Sequence, residues 1–400
     1  MQKVVLPNGL TIIYEARKSK SIVVEVLTKV GSNQEKPTER GISHFIEHIT
    51  FEGTAKRPTN QLISNEIERV GGDFNAYTTN ERTCFYVKVL KKHFPLAVEI
   101  LADILQNSLF NKKEIEKEKR VVLKEIDLVN DEPKFYQWIL LQKNLFQKHP
   151  VRYPTYGSKE VIKNLSRDKL LKYFHQHYVP ANMVISIVGE VKGWKELIQK
   201  YFVLLRGKKS VFPMVMELPL KGNKEVREKK DVTNTYVVLG FKTVPKNHPD
   251  SYALEIIDGI LGRGQSGKMF TEIRGKKGLA YYVGTQHVND VSFGYFAIYA
   301  TIDRKNITLI KKMMLQELDK LQQVTPKELE EAKTFTEGDF YLDVEDNQRL
   351  ADQLLFWEQS GHAQELHRYI PKIKKVTIKD VKRVAKKYFQ KHVFVVIEGR

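Results

Sequence analysis

The segment KYFHQHYVPANMVISIVGE, which begins at Lys172, returns in shortened form as KYFQKHVFVVIEG from Lys387. Each copy is a basic amphipathic helix that gives way to a run of β-branched residues closed by Glu and Gly. A repeat of this kind, in a chain of 400 residues that is too long for one ordinary hydrophobic core, points to a duplicated α+β unit. We therefore expect an α+β fold of two related domains, each an antiparallel-rich β-sheet backed by helices. Their bounds are set at 1–204 and 232–400. The stretch RGKKSVFPMVMELPLKGNKEVREKKD between them is rich in Lys, Gly and Pro and reads as a linker over 205–231. In the first half the patterns predict strands at 10–16, 21–30, 74–77 and 83–90, with helices at 39–52, 59–70 and across 92–147. The second half repeats this order, with strands at 234–242, 279–287 and 293–302, helices at 250–261 and 267–275, and a helical tract over 305–389.

Lys and Arg number 66 against 48 Asp and Glu, a net charge of +18 that has to be tested against a nucleic-acid reading. The basic residues are spread along the chain with acids beside them. The densest run, KIKKVTIKDVKRVAKKYFQKH, sets Val381, Val384, Ala385 and Tyr388 at helical spacing, so its lysines form the wet side of an amphipathic helix. No nucleic-acid partner is expected, because charge without a recognition motif gives only non-specific affinity. A single cysteine, Cys84, excludes an intramolecular disulfide and any zinc site built from two or more cysteines. It alternates with Thr83 and Phe85 and reads as a small packing residue in a strand. The opening MQKVVLPNGLTIIYE has no apolar leader region, and no apolar run approaches the roughly 18 residues that a membrane span needs. The expectation is a cytoplasmic protein with no membrane partner.

The residues that carry chemistry lie in ERGISHFIEHITFEG. Thr38 before Glu39 and Gly53 after Glu52 mark a helix start and stop. On that helix His44 and His48 sit roughly 40° apart on one face, a turn from each other. Two imidazoles so placed can share one Zn²⁺ at about 2.0–2.1 Å. Glu47 projects to the same side, where it can take a proton from water without being a ligand. This H-x-x-E-H order is the inverzincin motif. A catalytic zinc needs a third protein ligand, and KKEIEKEKRVVLKEIDLVNDE offers Glu118 and Glu125, seven apart on one helix face. A salt-bridged, solvated face is the competing reading of that pair.

HFIEH followed after 76 residues by Glu125 resembles the pitrilysin/insulinase family of zinc metallopeptidases, in the short-chain branch that includes mitochondrial processing peptidase. The wider pattern HFxEHxxFxGT is intact through Phe51, Gly53 and Thr54. The resemblance implies His44, His48 and Glu125 as zinc ligands and Glu47 as general base, with Glu118 supporting the site. GGDFNAYTTNERTCFYV looks like the family's substrate-pairing edge strand, which places Asn75 and Ala76, with Phe51, at the substrate. FTEIRGKKGLAYYV resembles the segment whose Arg and Tyr contact substrate carbonyls, here Arg274 and Tyr281. The implied activity is a zinc-dependent endopeptidase cleaving peptides or unfolded segments by a metal-activated water. Because this chain carries both the metal motif and the Arg/Tyr pair, a homodimer is expected rather than an active chain paired with a related subunit. A non-catalytic family scaffold is the alternative, and a basic nucleic-acid binder the weaker one.

GRGQSGKM has glycines at 262, 264 and 267 and nearly forms a phosphate loop ending at Lys268. Met269 stands where Mg²⁺ binding needs Ser or Thr, and a helix precedes it, so it reads as a turn between helices. His175 and His177 lack ligand spacing and are expected at the surface.

Overall fold

SIVVEVLT is apolar on both faces, which only a strand covered on both sides can satisfy. In the computed structural model, which describes residues 1–203, 207–213 and 215–399, it is the buried strand β3. The first sheet contains β1 (Gln2–Val5), β2 (Thr11–Glu15), β3 (Ser21–Thr28), β4 (Asp73–Thr78), β5 (Thr83–Leu90) and β6 (Met183–Val188), in the order β1-β2-β6-β3-β5-β4. The second contains β7 (Lys224–Lys229), β8 (Thr235–Lys242), β9 (Ala280–Asn289), β10 (Gly294–Ile302) and β11 (Val393–Glu398), in the order β7-β11-β8-β10-β9. In the first sheet β2 runs parallel to β6, and β6-β3-β5-β4 are antiparallel in succession. In the second, β7 runs parallel to β11, and β11-β8-β10-β9 are antiparallel in succession. The two halves thus share one five-strand topology, and the repeated helix–strand segments supply the matching strands β6 and β11.

The helices that bear on function are α1 (Ile42–Thr50), α2 (Phe94–Asn107), α3 (Lys112–Asp131), α4 (Pro133–Leu145), α5 (Asp250–Gly262) and α6 (Asn347–Ser360). The compact units cut across the sequence halves. One comprises Met1–Asp127, Pro154–Pro213 and Asp343–Leu366; the other Leu128–Tyr153, Met214–Leu342 and His367–Arg400. Helix α6, from late in the chain, therefore packs on β3 and β6 of the first sheet, while α4, from early in the chain, packs on β8 and β11 of the second. Leu140, Leu141 and Leu145 of α4 join Val238, Tyr295, Val393 and Val395 in one buried cluster. Gly240 makes room for that helix, because a Cβ there would lie 2.4 Å from a methyl carbon of Leu141.

Two expectations need correction. The stretch read as linker contributes β7, an edge strand whose alternating Lys, Glu and Arg disguise it as solvated coil. Its backbone pairs with β11, and only Val226 turns toward the apolar cluster. The expected junction at 204–205 lies outside the described residues. His177 is buried, not at the surface; its ring packs at a tilt on Tyr173, with centres 4.4 Å apart, and its Nδ1 meets Ser210 Oγ at 2.9 Å. His175 is exposed, as expected. No helix among the described residues is long and apolar enough to cross a membrane.

Candidate metal centre

Helix α1 begins three residues later than the sequence signals suggest. Thr38 and Glu39 lie in a short 3₁₀ turn, and the N-cap is Gly41 at φ +94, where a side chain would meet the Tyr156 carbonyl oxygen at 2.4 Å. The first-turn amides are satisfied from the preceding loop. Buried Glu35 accepts hydrogen bonds from the Gly41 N–H at 2.8 Å and the Ser43 N–H at 2.9 Å. A carboxylate capping a helix start fixes where that helix begins. The sequence reading missed Glu35, whose signal is an acid six residues ahead of a glycine that cannot be helical.

This start sets the rotation of α1. His44 and His48 turn their Nε2 atoms toward each other, 3.4 Å apart. Glu125 of α3 faces both, with Oε1 at 3.5 Å from His44 Nε2 and Oε2 at 3.6 Å from His48 Nε2. Tetrahedral donors around an ion at about 2.0–2.1 Å stand about 3.4 Å apart, leaving a fourth position open. The observed triangle fits that requirement. Glu118, one helical face-repeat earlier on α3, is buried, and its Oε2 lies 3.2 Å from His48 Nδ1. It holds the ring by the nitrogen that faces away from Glu125, which leaves Nε2 to the site. So α3 supplies one partly exposed carboxylate to the triangle and one buried carboxylate behind it.

The electrostatics ask for a cation. Burial disfavours charge on His48, yet Glu118 and Glu125 outweigh it and push the ring up to about 10. The histidines, His44 first and then His48, hold Glu125 well below the usual carboxylate range. Glu47 lies between the motif histidines in sequence, and its Oε2 accepts a hydrogen bond from Thr78 Oγ1 at 2.6 Å. Thr78 ends β4, the outermost strand of its sheet. The sequence reading did not single it out.

Asn75 and Ala76 sit mid-strand on β4, where the Asn75 side-chain oxygen accepts from the Ala76 N–H at 2.8 Å. Phe51, just past α1, packs on Phe74 and Phe85, with ring centres 5.5 and 5.9 Å apart. That contact ties the metal helix to the edge strand and partly buries Phe51. Arg274 and Tyr281 belong to the second unit. Arg274 lies in the last turn of a π-helical segment, Phe270–Gly275, with its guanidinium over the Phe270 ring, and Tyr281 lies on β9 with 74% of its surface exposed. The glycine-rich stretch at 262–267 is a short turn after α5, as expected.

The second unit repeats one part of this arrangement. On α5, Asp258 accepts a hydrogen bond from Thr285 of β9 at 2.6 Å, as Glu47 does from Thr78. At the spacing of the two histidines, however, α5 carries Glu255 and Gly259. The acid–threonine pair is retained there with no histidine at the two corresponding helix positions.

Residues 11–159 match the family model described as Insulinase (Peptidase family M16), and residues 164–335 match that described as Peptidase M16 inactive domain. A Bacillus subtilis protein named "Uncharacterized zinc protease YmxG" is 32% identical over 342 residues, 84% of this chain and 83% of its own. The chain belongs to the insulinase family of peptidases. A Rickettsia felis family member, also named a zinc protease, is 35% identical over 82% of this chain and 80% of its own. Among solved structures, a protease from Helicobacter pylori superposes with a TM-score of 0.94 at 25% identity, covering 99% of each chain. A Pseudomonas fluorescens structure described as a peptidase M16 inactive domain gives a TM-score of 0.90 at 20% identity, covering 100% and 98%. Zinc is the family's cofactor, and the His44–His48–Glu125 donor set suits it. The half that matches the inactive-domain model is the half whose α5 lacks the histidines.

Proposed function

We propose that this family member is a zinc-dependent endopeptidase acting on peptides or unfolded segments, with His44, His48 and Glu125 as ligands and Glu47 as general base. The triangle of donors at 3.4–3.6 Å, with Glu47 tethered beside it, is the observation that carries this reading. Zinc bound there supplies a Lewis acid for the scissile carbonyl and acidifies water. The protein's own part begins with Glu118, which keeps His48 in the tautomer whose Nε2 is free to bind. Thr78 holds one Glu47 oxygen, so the other is free to accept a proton from water and pass it to the leaving amine. Because β4 is an edge strand, an extended peptide can add beside Asn75 and Ala76 through main-chain hydrogen bonds, which bring affinity without strict sequence demand. Arg274 and Tyr281 are proposed as substrate contacts, and a homodimer as the working assembly, on the family resemblance.

Cleavage of a quenched peptide by the purified protein, with and without a chelator, tests the proposal. The wild type is expected to cleave and to lose activity on chelation. Glu47→Gln should keep its zinc with kcat reduced about 10²–10⁴-fold, while His48→Ala should lose both zinc and cleavage. Full activity in Glu47→Gln would remove the general-base assignment, and cleavage that ignores chelation would remove the zinc.

A further inference from the structure

We propose that Glu25, Cys84 and Asp352 form a second cation site, for zinc or a similar borderline divalent ion, on the face of the first sheet opposite His44 and His48. In the strand register Cys84 of β5 faces Tyr77 of β4 on one side and Leu27 of β3 on the other. Glu25 lies two residues before Leu27 and shares its face. Thr78, Phe74 and Phe85 use the other face, where they meet Glu47 and Phe51. Helix α6 brings in Asp352, which accepts a hydrogen bond from the Tyr77 hydroxyl. Cys84 Sγ and one oxygen from each acid all lie within 4.8 Å of one another. Around one ion with thiolate at about 2.3 Å and carboxylates at about 2.0–2.2 Å the donors stand about 3.4–3.6 Å apart, so side-chain rotations of up to about 1 Å close the span.

Glu25 is fully buried, and among the described residues its carboxylate oxygens lack a well-formed hydrogen bond, the nearby Tyr77 hydroxyl being directed to Asp352. A carboxyl group in that position is held neutral or paired with positive charge; burial, and then Asp352, push its pKa well above the usual range. Ser186 of β6 stands directly opposite Glu25 on the same face, and its buried hydroxyl has no hydrogen-bond partner among the described residues. Arg82 acts electrostatically on both Glu25 and Cys84. Two carboxylates and a thiolate carry three negative charges, which a divalent cation and one guanidinium balance. Binding releases the thiol proton of Cys84 and the carboxyl proton of Glu25 to solvent, with no change of oxidation state. A thiolate with two carboxylates selects a borderline ion over Mg²⁺ or Ca²⁺. The ion would tie α6 to β3 and β5, independently of peptide hydrolysis.

Cobalt substitution tests this directly. Cys84 is the chain's single cysteine, and the ligands of the proposed catalytic site contain no sulfur, so a near-ultraviolet thiolate-to-cobalt band can arise only here. Metal-free wild type titrated with Co²⁺ should develop that band and bind two ions per chain. His48→Ala should keep the band and bind one ion. Cys84→Ser should lose the band and bind one ion; Asp352→Asn, at a partly exposed position, should need at least tenfold more cobalt to reach it. Absence of the band in the wild type, or equal cobalt stoichiometry in wild type and Cys84→Ser, would overturn the site. Neither result bears on cleavage at His44, His48 and Glu125.

Discussion

The Thr78–Glu47 hydrogen bond links the edge strand β4, proposed to pair with substrate, to the proposed general base through one hydroxyl. Hydrogen bonds to charged groups contribute about 1.5–3 kcal/mol, so Thr78→Val is expected to lower kcat about 10–100-fold with little change in KM. Thr78→Ser should restore most of it, and steady-state kinetics on the same peptide would read both. Glu118→Gln should weaken zinc affinity about 10–100-fold, because the ring it orients loses its anionic partner; a competitive chelator titration measures this. The motif residues were legible because two histidines a helical turn apart have few other uses beside a glutamate. Glu125 and Glu118 were both open as the third ligand from the residues alone, and the family resemblance, with its spacing of 76 residues from the motif, chose Glu125. Thr78 and Glu35 were not legible. Their roles depend on a strand and a loop meeting α1, and neither residue type is unusual where it stands.

At the scale of elements, edge strands and caps decide what a sequence conceals. Strands β3, β5, β8 and β10 announced themselves through apolar alternation or runs, and the observed bounds fall within a few residues of the expected ones. β7 did not, because a charged edge strand and a solvated linker have the same composition. Ahead of it, Glu217 accepts hydrogen bonds from the amides of Gln147, Lys148 and His149 at 2.7–2.9 Å and pairs with Lys242. Burial opposes charge on this carboxylate, but Lys242 and the three amides prevail and bring its pKa down to about 2 from 4.5. A depressed folded pKa stabilises the protein above the unfolded value, so this contribution is present above pH 4.5 and is lost as pH falls toward 2. Glu217→Gln should therefore lower stability near neutral pH and flatten the acid limb of a denaturation profile between those values. An unchanged limb would count against the clamp. Gly240→Ala should cost about 1–3 kcal/mol by crowding Leu141, read as a lower Tm with the same spectrum.

For the whole molecule, the duplication was legible in the repeated KYF segments, and the matched strand orders bear it out. The assignment of helices to sheets was not legible, since nothing local marks α4 as belonging with β8 and β11, or α6 with β3 and β6. Both are amphipathic helices whose partners lie far along the chain. A fragment of residues 1–204 lacks α6, leaving one face of β3 and β6 uncovered, and should be less stable than the same stretch supplied with residues 343–366. Thermal denaturation of the two preparations would show it, and equal Tm values would contradict the packing. The proposed catalysis rests on a carboxylate from α3 closing a metal triangle with two histidines from α1. The most direct test is zinc content and peptide cleavage in Glu125→Ala, a partly exposed position whose replacement leaves the core intact. We expect one zinc ion per chain fewer than wild type and no cleavage; wild-type zinc content with undiminished cleavage would contradict the assignment.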